Sequence, residues 1–201
     1  MCYGCHVMGY ASREFTLMYF TQGVVLKKID TGEVDAFFTL YTKDFGKLFL
    51  RAQGIKKPDA KLRGHLEPLH FVVIGFISGK NGMRVTFASL RDIFPSVRQE
   101  EQKLLIGLSM AEFVDRKCFE GEKDERVWDE IVRGFLLLEK ETFTTEEKAQ
   151  KLEGGMNGEL SVRMSPASRD FLRVFEERMQ SALGERGEDV RPPHLIKSAV
   201  Y

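Results

Sequence analysis

Lys56, Lys57, Lys61 and Arg63 place four cations within eight residues, on the loop Gly54-Ile55-Lys56-Lys57-Pro58-Asp59-Ala60-Lys61-Leu62-Arg63. Pro58 fixes its own φ and stiffens the loop. Directly before it, alternate positions Lys47, Phe49 and Arg51 set a ring between two cations on one face of an extended segment. Positive charge beside flat rings suits a polyanion that carries flat bases, with the cations on phosphate and the rings on base faces. Lys27 and Lys28, Lys43 and Arg84 extend the basic set, and Tyr41 and Phe37 join Phe49 as stacking candidates. For Phe37, packing against the C-terminal half is at least as good a use.

The remaining reactive residue types do not assemble into chemistry. His65 and Glu67 flank Leu66, but acid–base catalysis needs a pocket and a third positioned group, so a loop hinge or local hydrogen bond is the expected role. The four histidines (His6, His65, His70, His194) are scattered, and no His-x-x-x-His pair, Gly-rich phosphate loop or nucleophile motif occurs. The basic half holds too few carboxylates for a metal-dependent nuclease. The chain reads as a non-enzyme with no cofactor and no metal.

Cys2-Tyr3-Gly4-Cys5-His6 matches the haem-attachment pattern C-x-x-C-H. That chemistry requires export, and no export signal is visible. A zinc site on Cys2 and Cys5 lacks two of its four ligands. Residues 1–17 are therefore expected to be a disordered or non-native leader, with Met18 as the natural start.

Formal net charge is zero, which taken alone argues against a nucleic-acid partner, but the charge is unevenly spread. Tyr19 to Arg98 carries 13 Lys and Arg against 7 Asp and Glu; Gln99 to Tyr201 carries 16 against 22. A basic half joined to an acidic half implies different partners for each. With 43% apolar residues the chain can build a core, and no apolar run nears the roughly 20 residues of a membrane span. A soluble monomer in a reducing cytoplasm, associated with the nucleoid, is the expected setting.

These residues must be positioned by short strands. Gly23 to Ile29, Val34 to Thr42, Lys47 to Gln53, Leu66 to Ser78 and Met83 to Leu90 read as five strands. Asp30-Thr31-Gly32-Glu33, Lys43-Asp44-Phe45-Gly46 and Lys80-Asn81-Gly82 supply turns. Ala36, Phe38 and Leu40 share one face, as do Leu48, Leu50 and Ala52, which are predicted to point inward. Five such strands suit an OB-type barrel, although an SH3-like barrel has the same periodicity. Helical spacing then predicts one helix over about Val97 to Phe119, a second carrying Val127, Trp128, Ile131, Phe135 and Leu138, and a short third opened by Thr144-x-x-Glu147. Gly154-Gly155-Met156-Asn157-Gly158 would end the third. A last helix starts at Ser165-Pro166 and stops at Gly184. The fold class is α+β: a leader over 1–17, a five-stranded OB barrel over 18–95, and an all-helical domain over 96–201. Trp128 is expected in the core; the competing use is as the lip of a groove for an acidic, aromatic-ended peptide, with Arg126 and Arg133 beside it.

Thr21-Gln22-Gly23-Val24-Val25-Leu26-Lys27-Lys28, Gly32-Glu33, and Leu40 through Lys47 together resemble the N-terminal domain of the bacterial recombination mediators of the RecO family. Gly54-Ile55-Lys56-Lys57-Pro58, leading through Lys61-Leu62 and Gly64-His65 to Leu66-Glu67-Pro68, continues the resemblance, which covers about 50 residues. Farther on, the acidic helices and Leu195-Ile196-Lys197-Ser198 are similar only diffusely. The resemblance implies binding of single- and double-stranded DNA by the barrel and annealing of complementary strands. It also implies loading of RecA together with RecR, and contact of the helical domain with the acidic C-terminal tail of single-strand-binding protein. Many relatives carry a four-cysteine zinc module before the last helix. Gly154 to Met164 contains no cysteine, so no zinc is expected, and the helical domain reads as shortened. The alternative function is an OB-fold protein-interaction module with little direct DNA binding.

Overall fold

The computed structural model describes residues 17–143 and 164–184, apart from 59, 81 and 93. Five strands, β1 (Met18–Thr31), β2 (Asp35–Thr42), β3 (Gly46–Ala52), β4 (Phe71–Gly79) and β5 (Gly82–Asp92), close into a barrel in the order β1-β2-β3-β5-β4. All neighbours are antiparallel except β3 and β5, which meet in parallel at Arg51 and Arg84. That order is the OB barrel, so the SH3-like alternative falls away.

Alternation builds the barrel interior. Ala36, Phe38 and Leu40, then Leu48, Leu50 and Ala52, are buried with Val72, Ile74 and Phe76. Ile55 and Leu66, at the two ends of the basic loop, belong to the same core. The loop is thus pinned at both ends by apolar burial.

Two strand boundaries differ from expectation. β1 begins at Met18 because its first residues pair with β4, Phe20 opposite Gly75 and Met18 opposite Ile77. Leu66 to His70 is not strand: Leu69 sits at φ 68 and donates its N–H to the Val25 carbonyl at 2.8 Å. Its apolar run fills the core from a loop, which periodicity cannot distinguish from a strand.

The helices follow as α1 (Pro95–Gln99), α2 (Glu101–Lys117), α3 (Glu125–Lys140) and α4 (Pro166–Ala182). The single helix expected over Val97 to Phe119 is broken at Glu100, whose backbone is extended (φ −98, ψ 119). The cause is tertiary. Glu139 on α3 accepts the N–H groups of Ser96 (3.1 Å) and Val97 (3.0 Å), and the buried Lys103 ammonium donates to Ser96 Oγ at 2.7 Å and to the Glu139 carbonyl at 3.2 Å. This network satisfies the first turn of α1 from another helix and fixes its direction. Ser165 caps α4 by accepting the Ser168 N–H at 3.1 Å, with Pro166 in the first turn and Gly184 at φ 77 after its end. The expected third helix, its glycine stop and the C-terminal tail lie outside the described residues.

A second core joins barrel to helices. Val24, Leu26, Tyr41 and Phe71 pack with Ile106, Met110, Phe113, Trp128, Ile131 and Phe135. The Phe71 ring lies 5.0 Å from Phe94 and 5.4 Å from Phe135, both edge-on. At Gly134 a Cβ would come within 2.7 Å of Phe175 and Met110, so the α2–α3–α4 crossing depends on a residue without a side chain.

Candidate nucleic-acid interface

Strand register sorts the outer face of the barrel into rows. Ile29, Phe37, Arg51 and Arg84 stand opposite one another in turn across β1, β2, β3 and β5. The next row is Lys27, Thr39 and Phe49. Phe37 and Phe49, diagonal neighbours on adjacent strands, stack in parallel with centroids 4.8 Å apart and planes 5° apart. Phe49 is 40% exposed, so a broad ring surface faces solvent between Lys27 and Arg51.

The basic loop is fastened to the end of this surface. Asp35 accepts from Arg51 Nη2 at 2.5 Å and from the Gly54 N–H at 2.7 Å, which ties β2, β3 and the start of the loop together. The Gly54 N–H, then the Arg51 guanidinium, hold the Asp35 carboxyl below the usual carboxylate range. Lys56 donates to the Gly32 carbonyl at 3.0 Å and faces Asp30 at 3.6 Å, and Lys28 pairs with Glu67 at 3.0 Å. Lys57, Lys61 and Arg63 are exposed. Beside the β3–β5 seam a cleft of about 340 Å³ is lined by Arg51, Gln53, Lys80, Arg84, Ile77 and Met83, with Arg84 donating to Gln53 at 3.2 Å. Among the described residues no carboxylate lines it, although Asp35 pairs with Arg51 beside it.

The third row of the same face, Val24, Tyr41 and Lys47, is covered by the helices, and this corrects two expectations. Tyr41 is 1% exposed and cannot take a base on its ring. Its hydroxyl donates to the Asp124 carbonyl at 3.3 Å and lies 3.4 Å from the Asp124 N–H, and burial pushes the phenol well up. Lys47 pairs with Asp115 Oδ1 on α2 at 2.7 Å and also donates to the Asp115 carbonyl. Its own carbonyl accepts the Gly121 N–H at 2.9 Å. Next to it Gly46, at φ 65, lies so close to the α2–α3 connector that a Cβ would fall 1.9 Å from the Glu122 carbonyl oxygen. Lys47 is a fastening between barrel and helices. Alternation assigned both residues to the outer face; it carries no information on which part of that face is covered.

The peptide groove suggested around Trp128 does not assemble either. Trp128 is 6% exposed, with its ring 6.2 Å from Phe71 in the shared core. Arg126 is exposed and pairs with Asp124, the cap of α3, at 3.0 Å; Arg133 is exposed farther along α3. His65 and Glu67 form no acid–base pair, since Glu67 faces Lys28 and the His65 carbonyl faces His70 Nδ1 at 3.1 Å. Lys43 is exposed on the β2–β3 turn. Among the described residues no group of three or more His, Cys, Asp or Glu is placed to hold a metal, and no helix is long and apolar enough to cross a membrane. Two exposed rings escaped the sequence reading, Phe20 and Phe87, which meet edge-on at 5.9 Å. Phe20 precedes the first expected strand, which starts at Gly23, and Phe87 lies on a strand whose faces the alternation does not separate; extending β1 to Met18 exposes the first.

Residues 18–94 match the family described as Recombination protein O N terminal. The chain is similar to the DNA repair protein RecO of Heliobacterium modesticaldum, 35% identical over 49% of this chain and 36% of that protein. It is also similar to those of Syntrophus aciditrophicus, 32% identical over 63% of this chain and 49% of the relative, and Syntrophomonas wolfei, 29% over 54% and 43%. The chain thus spans about half the length, or less, of the curated relatives it matches.

Proposed function

We propose that this chain, whose barrel matches the N-terminal domain of the RecO family, acts in recombinational DNA repair by binding DNA on the uncovered part of the barrel's outer face. The observation that carries this reading is the exposed Phe49 stacked on half-buried Phe37 beside Lys27 and Arg51, with the loop that bears the exposed cations Lys57, Lys61 and Arg63 tied to Arg51 through Asp35. Rings take unpaired bases regardless of sequence, and cations take phosphate. The strand 2–3 face with its flanking loops is where OB barrels hold oligonucleotides.

In this reading the protein is not an enzyme. It anneals complementary strands and assists RecA loading with RecR, and its helices meet the acidic tail of single-strand-binding protein. Arg126 and Arg133 remain available to such a tail, while buried Trp128 does not.

The test is a strand-annealing assay with and without RecR and single-strand-binding protein, beside a direct titration of single strands. Faster annealing with saturable single-strand binding supports the proposal. Capture of a protein partner with no measurable DNA binding would favour an interaction module instead.

A further inference from the structure

Phe20 on β1 and Phe87 on β5 are 56% and 43% exposed, and stand on either side of Gly75 in one cross-strand row. A Cβ on Gly75 would meet Phe20 Cε1 at 2.8 Å and Phe87 Cβ at 3.0 Å, so the glycine lets both rings lie down across β4. The two rings meet edge to face at 5.9 Å, and each keeps much of its surface in solvent. Buried apolar packing does not account for them. Leaving two large rings in water is unfavourable unless something covers them.

What covers them is indicated by their surroundings. Moving from Phe87 toward the start of β5, the next outward side chains lead to Arg84, three residues and about 10 Å away. Arg84 pairs in register with Arg51, and Phe49 lies two residues from Arg51 on the opposite side of that row. The order across the barrel is therefore ring pair, arginine pair, ring pair: Phe37 and Phe49, then Arg51 and Arg84, then Phe87 and Phe20. The cleft at the β3–β5 seam takes in the middle of this diagonal; its cations are Arg84, Lys80 and Arg51, the last already paired with Asp35. Alternating base-sized apolar seats with positive charge matches the alternation of base and phosphate along an unpaired strand. An acidic peptide would use the arginines but has no regular ring to offer; a duplex buries its base faces.

We infer that Phe20 and Phe87 form a second base-stacking platform, and that a single strand crosses the barrel diagonally from the first platform to the second over the Arg51–Arg84 seam. This rests on the DNA-binding reading above and extends it to strands β1, β4 and β5, outside the face formed by β2 and β3. Both rings are exposed, so their removal leaves the described core intact.

The experiment compares the full chain with F20A/F87A, using oligo-dT long enough to reach both platforms, oligo-dT too short to leave the first, and a blunt duplex. On the long single strand the double variant is expected to lose on the order of 10-fold in affinity per ring, while the short strand and the duplex change less than about 2-fold. F20W/F87W should restore long-strand binding. Photocrosslinking of 5-iodouracil-substituted long strands should mark Phe20 or Phe87 in the wild type. Equal affinity of wild type and F20A/F87A for the long strand, while K57A/K61A/R63A weakens it, overturns the second platform and leaves the DNA-binding reading standing. No binding of any strand by the wild type overturns both. Loss of concentration-dependent self-association in F20A/F87A, without loss of DNA affinity, also overturns it and assigns the rings to a second copy of the chain.

Discussion

Lys47 Nζ on β3 lies 2.7 Å from Asp115 Oδ1 on α2, so a cation on the barrel's outer face is held by the acidic helices. This pair, with Tyr41 against Asp124 and Gly46 against Glu122, marks where the barrel surface stops being available and the junction begins. Lys47→Ala is expected to cost about 1 kcal/mol, a fall in Tm of about 2–4 °C, because the pair is only partly exposed. The salt dependence of DNA binding should not change. Thermal melts and a salt titration of the same variant check both halves. Tyr41→Phe, which removes only the hydroxyl, should cost about 0.5–1.5 kcal/mol in a denaturant melt and leave DNA affinity alone.

Gly46→Ala should be far more damaging. A side chain there is strained by the positive φ and collides with backbone, not with a flexible side chain that could move. The expected loss exceeds about 2 kcal/mol, read as a lowered denaturation midpoint. Gly32→Ala, also at positive φ but with nothing within 4 Å, separates strain from collision and should cost less.

Asp35 makes the loop's attachment sensitive to acid. Its folded pKa lies below the unfolded value of about 3.9, so it contributes stability that is fully present above pH 4 and is lost as pH falls through the folded pKa. Asp35→Asn should be less stable than wild type at pH 7, and the gap should narrow as the pH drops below about 4. Urea midpoints of the two proteins at a series of pH values measure this. A gap that widens in acid would contradict the assigned sign.

For the first platform, Phe49→Ala should weaken single-strand binding by about 1–3 kcal/mol, with Phe49→Tyr close to wild type. Duplex affinity should change little, since paired bases offer no face. Fluorescence anisotropy with labelled single strands and duplex distinguishes these outcomes.

Much of this was legible in the residues. Alternation in β2 and β3 gave the inward set Phe38, Leu40, Leu48 and Leu50 and the outward set Phe37, Phe49 and Arg51, because a strand's period is a local property. Ser165-Pro166 marked the start of α4 for the same reason. What failed was nonlocal. Tyr41 and Lys47 share the face of Phe49 and differ only in lying under α2 and its connector. The break at Glu100 comes from Glu139, nearly forty residues away. Leu66 fills the barrel and Leu69 the junction core from a loop, where a strand was expected.

The central claim is that the uncovered face and its loop seat a sugar–phosphate chain. The most direct test is the slope of log K against log salt for duplex and single-stranded DNA, measured for wild type and for K57A/K61A/R63A. The account predicts weaker binding irrespective of sequence, with the slope flattened by up to about 0.9 per lost phosphate contact on duplex and about 0.7 on single strands. An unchanged slope in the triple variant would contradict it.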